Sequence, residues 1–239
     1  IMGQAPDKQI ISAANAQQLA DRNSRDVRKR LVDPRHIAAF GDCPLAKSTD
    51  AEWQTEAGGI YRAVGVGGGI AGYGADYIIV DDYVLNRSQI ESPTERDKQW
   101  QWFQDDILTR RHYPASVLLM ATRWHPDDII GRVLSPDYGT GEPWTVLHLP
   151  KMLEGVPGWR DQRTEAGEML LSPFAMAPWE YLPGQPEPPV DPFLKRDPVL
   201  VSYEEIQERE RSAFLALREK NPYGVDALEQ GNPVPKGGG

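Results

Sequence analysis

The stretch Tyr77-Ile78-Ile79-Val80, with Asp81-Asp82 directly after it, constrains the fold more than any other part of the chain. A short, unbroken run of mostly β-branched residues has no polar face to offer water. It predicts a strand buried on both sides, of the kind found in parallel sheets, with the two acids at its C-terminal end. Upstream, Ile60, Ala63, Val64 and Val66 predict a strand that runs into the glycines of 65–74. Glycines at that density permit positive φ and the close approach of a ligand or another backbone. Further buried strands are predicted at Ser116–Thr122 and at Trp144–Leu149.

Helical patterns separate these strands. The first runs from Asn15 to Leu31, with Leu19, Asn23, Val27 and Leu31 as its stripe, and Pro34 ends it. Its last turn carries Arg28, Lys29 and Arg30, placed where the helix dipole favours cations, and reads as a solvated helix end. Ser92-Pro93-Thr94-Glu95 predicts a capping box opening a second helix, whose buried face is Trp100, Phe103 and Ile107. A third starts near Pro126, with Asp127 and Asp128 in its first turn, and ends near Leu134. A last helix begins at Ser202 with a second capping box to Glu205. Ile206, Ala213, Phe214 and Leu217 line it, and Pro222 closes it. Strands alternating with helices give an α/β sheet, in which ligands sit beyond the carboxyl ends of the strands. Asp81, Asp82 and Thr122 all belong there.

Charge narrows the classes. The 239 residues carry 26 Lys and Arg against 35 Asp and Glu, a formal net of -9. That argues against a dedicated nucleic-acid coat or a polybasic membrane binder. Cys43 stands alone, so an internal disulfide and a multi-cysteine zinc site are excluded. No apolar run approaches the ~20 residues that span a bilayer, and the opening Ile1-Met2-Gly3-Gln4 has no secretory pattern. A reducing, cytoplasmic setting is expected. The domain reading is a core over 1–150, a proline-rich irregular region over 151–230 and a linker over 231–239.

An apolar strand ending in two acids has the form of a Walker B element. One carboxylate holds Mg²⁺ of a nucleotide, usually through water. The other orients or deprotonates the water that attacks the γ-phosphate. The bland alternative is a strand end leading into an acidic turn. The companion phosphate loop, GxxxxGK[ST], has one near match, Gly41–Ser48. It fails because Ala46 replaces the second glycine and because Thr49–Trp53 after it is only weakly helical. The glycines of 65–74 lack a following Lys-Ser or Lys-Thr, and the element after them is a strand instead of a helix. Thr122 suits contact with a γ-phosphate or its water, or else caps the next helix. His125 beside Asp76 and Asp81 is a poor metal set with so few histidines.

Gly65–Asp82, with Met120-Ala121-Thr122-Arg123-Trp124-His125-Pro126-Asp127-Asp128-Ile129-Ile130-Gly131-Arg132 about forty residues later, resembles the large terminase subunit of tailed bacteriophages. The likeness extends to Ile11-Ser12-Ala13, Ser24–Arg28, Trp53-Gln54-Thr55 and Tyr223–Pro233, and so covers nearly the whole chain. The resemblance implies a P-loop NTPase-like (RecA/ASCE-type) mostly parallel sheet flanked by helices, with a lid region over 151–230. It also implies a motor that uses ATP and Mg²⁺ to drive double-stranded viral DNA through a portal into a procapsid, with a C-terminal nuclease. By resemblance Asp81 holds Mg²⁺ and Asp82 is the catalytic carboxylate, often Glu in such motors. Thr122 and Arg123 couple hydrolysis to movement. The implied partners are the portal protein, the small terminase subunit and further copies in a ring, in the host cytoplasm, with no membrane.

The family's phosphate loop belongs upstream of Gln9 and its nuclease after Gly239. The chain therefore reads as an ATPase domain incomplete at its N-terminus, inactive by itself in ATP turnover and in DNA cleavage. An inert prophage remnant or binding module with the same fold is the alternative. A weaker one is a metal-dependent phosphoesterase built on Asp76, Asp81, Asp82 and His125. Arg110 and Arg111 suit either a neighbouring subunit's phosphates or a solvated helix end.

Overall fold

The structure, a computed structural model, describes residues 1–138, 142–147, 179–188, 197–222 and 225. The chain divides into two units, Ile1–Trp144 and Thr145–Gly239. In the first unit, six strands form one sheet: β1 (Gln9–Ala14), β2 (Leu45–Ser48), β3 (Glu52–Thr55), β4 (Ile60–Gly65), β5 (Ala75–Asp81) and β6 (Arg111–Met120). Their order is β2-β3-β4-β1-β5-β6. β1 lies parallel between β4 and β5, and β6 is parallel to β5. β2 and β3 are antiparallel additions that finish one edge. The result is a mixed, mostly parallel α/β sheet flanked by helices, compatible with Rossmann-like and P-loop-like arrangements.

The Ile78–Val80 run lies inside this sheet because both faces are needed. Ile78 and Val80 join Ile11, Ala13 and Val64 in one core, packed with Ile90, Phe103 and Ile107. These come from α3 (Arg87–Glu91), α4 (Pro93–Gln101) and the π-helical turn Trp102–Ile107 that continues α4. Each side chain so buried contributes roughly 1.5–3 kcal/mol relative to exposure. The opposite face carries Ile10, Ala14, Tyr61 and Ala63, covered by Ala20 and Leu31 of α1 (Gln17–Leu31). A short α2 (Pro34–Phe40) comes next, and α5 (Ile129–Leu134) lies after β6.

Several expectations change in the structure. The α1 stripe is Ala20, Ser24 and Leu31, while Val27 is exposed. A strict four-residue repeat drifts about 40° per step around a helix; Leu19 and Leu31 still pack against the same core, while Val27 falls outside it. Its last turn is not simply solvated: Arg28 donates to Ser48 Oγ, the Thr49 carbonyl and Asp50. Thr49–Ala51 is a tight turn between β2 and β3, and Glu52 and Trp53 already belong to β3, so the stretch is not weak helix. Ser92 caps α4 but the reciprocal half of its box is not used. The Ser92 N–H donates to the Gln89 carbonyl of α3, and Glu95 takes Lys98 instead.

Residues 144–147 are not a strand; the Trp144 ring packs against Phe103. His148 and Leu149 lie outside the described residues, as do 226–239 and most of the predicted irregular region. Within the second unit, β7 (Glu180–Tyr181) pairs in parallel with β8 (Val199–Leu200). α6 (Tyr203–Lys220) has a complete Ser202–Glu205 capping box. It buries Ile206 and Phe214 and leaves Leu217 exposed.

Candidate functional site

Three parallel strands, β1, β5 and β6, end side by side, and the residues just beyond their C-terminal ends meet there. Asp81 is the last residue of β5 and pairs in register with Ala14 of β1 and Met120 of β6. Asp82 then leaves the sheet with φ of 52°, the one left-handed non-glycine residue among those described. Aspartate tolerates this region better than most residues. The turn is clamped on both sides. The Asp82 N–H donates to the Met120 carbonyl at 2.9 Å, and the Asp82 carbonyl accepts from the Asn15 N–H at 3.1 Å. The Asn15 side-chain amide also donates to Asp82 Oδ2 at 3.3 Å. Asn15 carries no motif signal in the sequence and becomes a site residue only because β1 ends beside β5.

Asp82 lies in a partly desolvated setting with a like charge beside it. Burial, then the neighbouring Asp81 charge, pushes the Asp82 carboxyl above its ordinary range, with Asn15 opposing. No lysine or arginine forms an ion pair with Asp81 or Asp82 among the described residues. A carboxylate pair without a cation, on rigid strand ends, suits a divalent ion that takes one or two protein carboxylates and keeps its waters. No group of three or more His, Cys, Asp or Glu positioned for a metal occurs among the described residues. Two adjacent carboxylates do not by themselves make an all-protein metal cage.

Thr122 lies two residues beyond Met120, at the same end of the sheet, and is exposed. It does not cap α5. Asp128 does, accepting from the Gly131 N–H at 2.8 Å. Arg123 points away from the acids: its Nε donates to Asp128 Oδ2 at 2.8 Å, and the Asp128 side chain is fully buried. Burial raises the Asp128 carboxyl, and Arg123 opposes that shift. Gly131 makes the arrangement possible. A Cβ there would lie 1.7 Å from the Pro126 carbonyl oxygen, so only glycine lets the loop fold over the helix.

Other candidates disperse. Asp76 sits at the opposite end of β5, about 17 Å from Asp81 at ~3.3 Å per residue, where it accepts from Gln9 and contacts His112. His125 Nδ1 accepts from the Asp127 N–H. The four phosphoesterase residues therefore form no common site. Lys47, the lysine of the near-match loop, lies on edge strand β2 and pairs with Glu52 at 2.7 Å. The glycine-rich segment is pinned by Tyr73, whose hydroxyl donates to the same Glu52 and whose ring lies under Arg62. Arg111 opens β6 at the end away from the acids and pairs with Glu142. Comparison of the sequence with models of protein families returns no match, and comparison with curated proteins returns none at a significant level.

Proposed function

We propose that this chain is the ATPase-motor segment of a terminase-type large subunit, which couples ATP hydrolysis to the translocation of double-stranded DNA into a viral procapsid. The supporting observation is the clamped acid pair. Asp81 and Asp82 share one strand end with Thr122, in the order and spacing of the motifs that resemble that family. In this reading Asp81 would hold a hydrated Mg²⁺, which would neutralise charge on a bound triphosphate. Asp82, its carboxyl raised by burial and by Asp81, orients the attacking water and accepts its proton. Asn15 fixes the Asp82 carboxylate, and Thr122 faces the phosphate end. Arg123 acts from behind, through the loop it holds against α5. The portal protein, the small terminase subunit, a homo-oligomeric ring and a site of action at the procapsid in the host cytoplasm belong to the same proposal. No described helix is long and apolar enough to cross a membrane.

These 239 residues contain no GxxxxGK[ST] sequence, so the donors that cradle the triphosphate are not among them. The chain alone is therefore expected to show background ATP turnover with Mg²⁺, and no DNA cleavage. Robust turnover abolished by Asp81→Asn would contradict this. The flanking coding sequence separates a motor segment from an inert remnant: a GKS or GKT loop upstream and an acidic nuclease downstream are expected. Flanks bearing neither would sink the motor reading.

A further inference from the structure

Where β5 ends, its alternation breaks. Ile78 and Val80 belong to the core that holds Phe103 and Ile107, while Ile79 packs against the core of the opposite face. A period of two would send Asp82 to the Ile78–Val80 face and Tyr83 to the other. The reverse is found. Tyr83 is fully buried in the core of Ile78, Val80 and Ile129, and the Asp82 carboxylate accepts from Asn15. The left-handed φ of 52° at Asp82 makes this exchange. The backbone turn that aims the Asp82 carboxyl is thus the one that drives Tyr83 inward. Phenylalanine would fill the same space, so the hydroxyl calls for its own reason. A buried phenol needs a hydrogen-bond partner. Tyr83 Oη accepts from the Ile130 N–H at 3.4 Å, in the first turn of α5. Asp128 Oδ1 accepts from the next N–H, that of Gly131, at 2.8 Å, and its Oδ2 holds Arg123 Nε. Burial, then the Asp128 charge, lifts the phenol far above its ordinary range, so it stays a neutral hydroxyl.

Tyr83 and Asp128 therefore share the start of α5, one arriving from the tip of β5 and the other from the loop after β6. We propose that Tyr83 is the positioning residue of the acid site: it holds the Asp82 turn against α5 and passes any displacement of that turn to Arg123. A ligand that draws Asp82 outward pulls on Tyr83. The first turn of α5 follows, and with it the Asp128 carboxylate that holds Arg123. Packed, hydrogen-bonded contacts of this kind carry coupling between loops. The path also runs backwards, since Arg123 leaving Asp128 loosens the start of α5 and so the Asp82 turn. The competing path is the Met120 carbonyl, which accepts from the Asp82 N–H and joins the two tips through the β6 backbone. This rests on the nucleotide-site reading above and adds how the acid turn and the Thr122–Arg123 loop move together.

Heteronuclear NMR on the 239-residue chain tests this, with the Ile130 amide and the Arg123 Nε–H as reporters. Asp82→Asn is the perturbation, because it removes a charge and keeps the tolerance of a left-handed backbone. In the wild-type background it is expected to shift both signals. In a Tyr83→Phe background the Arg123 shift is expected to shrink at least about threefold, because only coupled positions depart from additivity. If Tyr83 serves packing alone, Tyr83→Phe lowers the urea midpoint and leaves the Arg123 shift as in wild type, and that result overturns the proposal. Phe103→Leu is the control. Phe103 is fully buried in the same core, so its loss should lower stability and leave the Arg123 shift intact. A shift lost there too overturns the proposal, because any loosening of the core would then suffice. Should Tyr83→Phe not fold, Asp128→Asn in the wild-type chain reads the path backwards. The Asn15 side-chain amide, which donates to Asp82, is then expected to shift, and an unmoved Asn15 signal overturns the proposal. No nucleotide enters these measurements. Flanking sequence without a phosphate loop would remove the motor reading and leave the linkage standing. Equal Arg123 shifts in both backgrounds would remove Tyr83 and leave the reading of the acids untouched.

Discussion

Asp82 bears three burdens at once: a left-handed backbone, partial burial and a like charge next to it. Asparagine keeps the backbone tolerance and the capacity to bond Asn15 while removing the charge. Asp82→Asn is therefore expected to stabilise the chain at pH 7 by roughly 0.5–1 kcal/mol, a discounted figure for a partly solvated group. A raised folded carboxyl holds its proton more tightly than the unfolded chain does. Its stabilising contribution is complete below the ordinary value of 3.8 and is lost as pH rises through the raised one. The gain from Asp82→Asn should accordingly vanish below about pH 4. Thermal melts at pH 7 and pH 3.5 check both halves, and a variant less stable at pH 7 would refute the electrostatic account. Arg123 gives the converse case. Its partner Asp128 is fully buried, so Arg123→Ala leaves a carboxylate without its cation and should cost about 3–5 kcal/mol in urea unfolding. Adding Asp128→Asn should recover much of that, since asparagine is also a good N-cap. A stable Arg123→Ala protein would mean the arginine is free for motion coupling alone.

At the scale of elements, the α4 layer contains a conflict. Gln99 is 3% exposed, and neither atom of its amide has a hydrogen-bond partner. A buried amide left unpaired costs on the order of 1–3 kcal/mol. Methionine has nearly the same shape and no such demand. Gln99→Met is expected to raise stability by about 1 kcal/mol, read as a higher urea midpoint with unchanged slope. A lower midpoint would show that the amide has a partner in solution. The same layer shows what periodicity can tell. Trp100, Phe103 and Ile107 are buried as their spacing predicts, although the backbone turns π-helical from Trp102. In α1 the spacing misleads, because a small polar residue sits on the buried face: Ser24 lies under Trp53 of β3 and accepts from its Nε1 at 3.1 Å.

For the molecule as a whole, acid is the expected weakness. Lys47, then Tyr73, hold the Glu52 carboxyl down at about 2. Arg132 lowers Asp127, and Arg111 lowers Glu142. A depressed carboxyl contributes stability that is full above its unfolded value and lost as pH falls through the folded one. For Glu52 that window runs from 4.5 down to about 2. Glu52 alone should contribute about 1–3 kcal/mol there. Urea midpoints between pH 5 and pH 2 should fall steeply, and less steeply in Glu52→Gln. An equal slope in both would remove Glu52 from the explanation.

The amino-acid order by itself determined a strand over Tyr77–Val80, buried at Ile78 and Val80 and half-buried at Tyr77 and Ile79, the acids at its tip, the capping serines and the α/β alternation. Each of these arises from local periodicity or from a hydrogen bond a few residues long. Tertiary structure alone decided that β1 lies between β4 and β5, that Asn15 therefore reaches Asp82, and that Arg123 turns to Asp128 and away from the acids. It also decided that β6 has no strand on its outer side among the described residues. These are pairings between residues far apart in the chain, set by which faces can be buried together, and no local pattern of side chains encodes them.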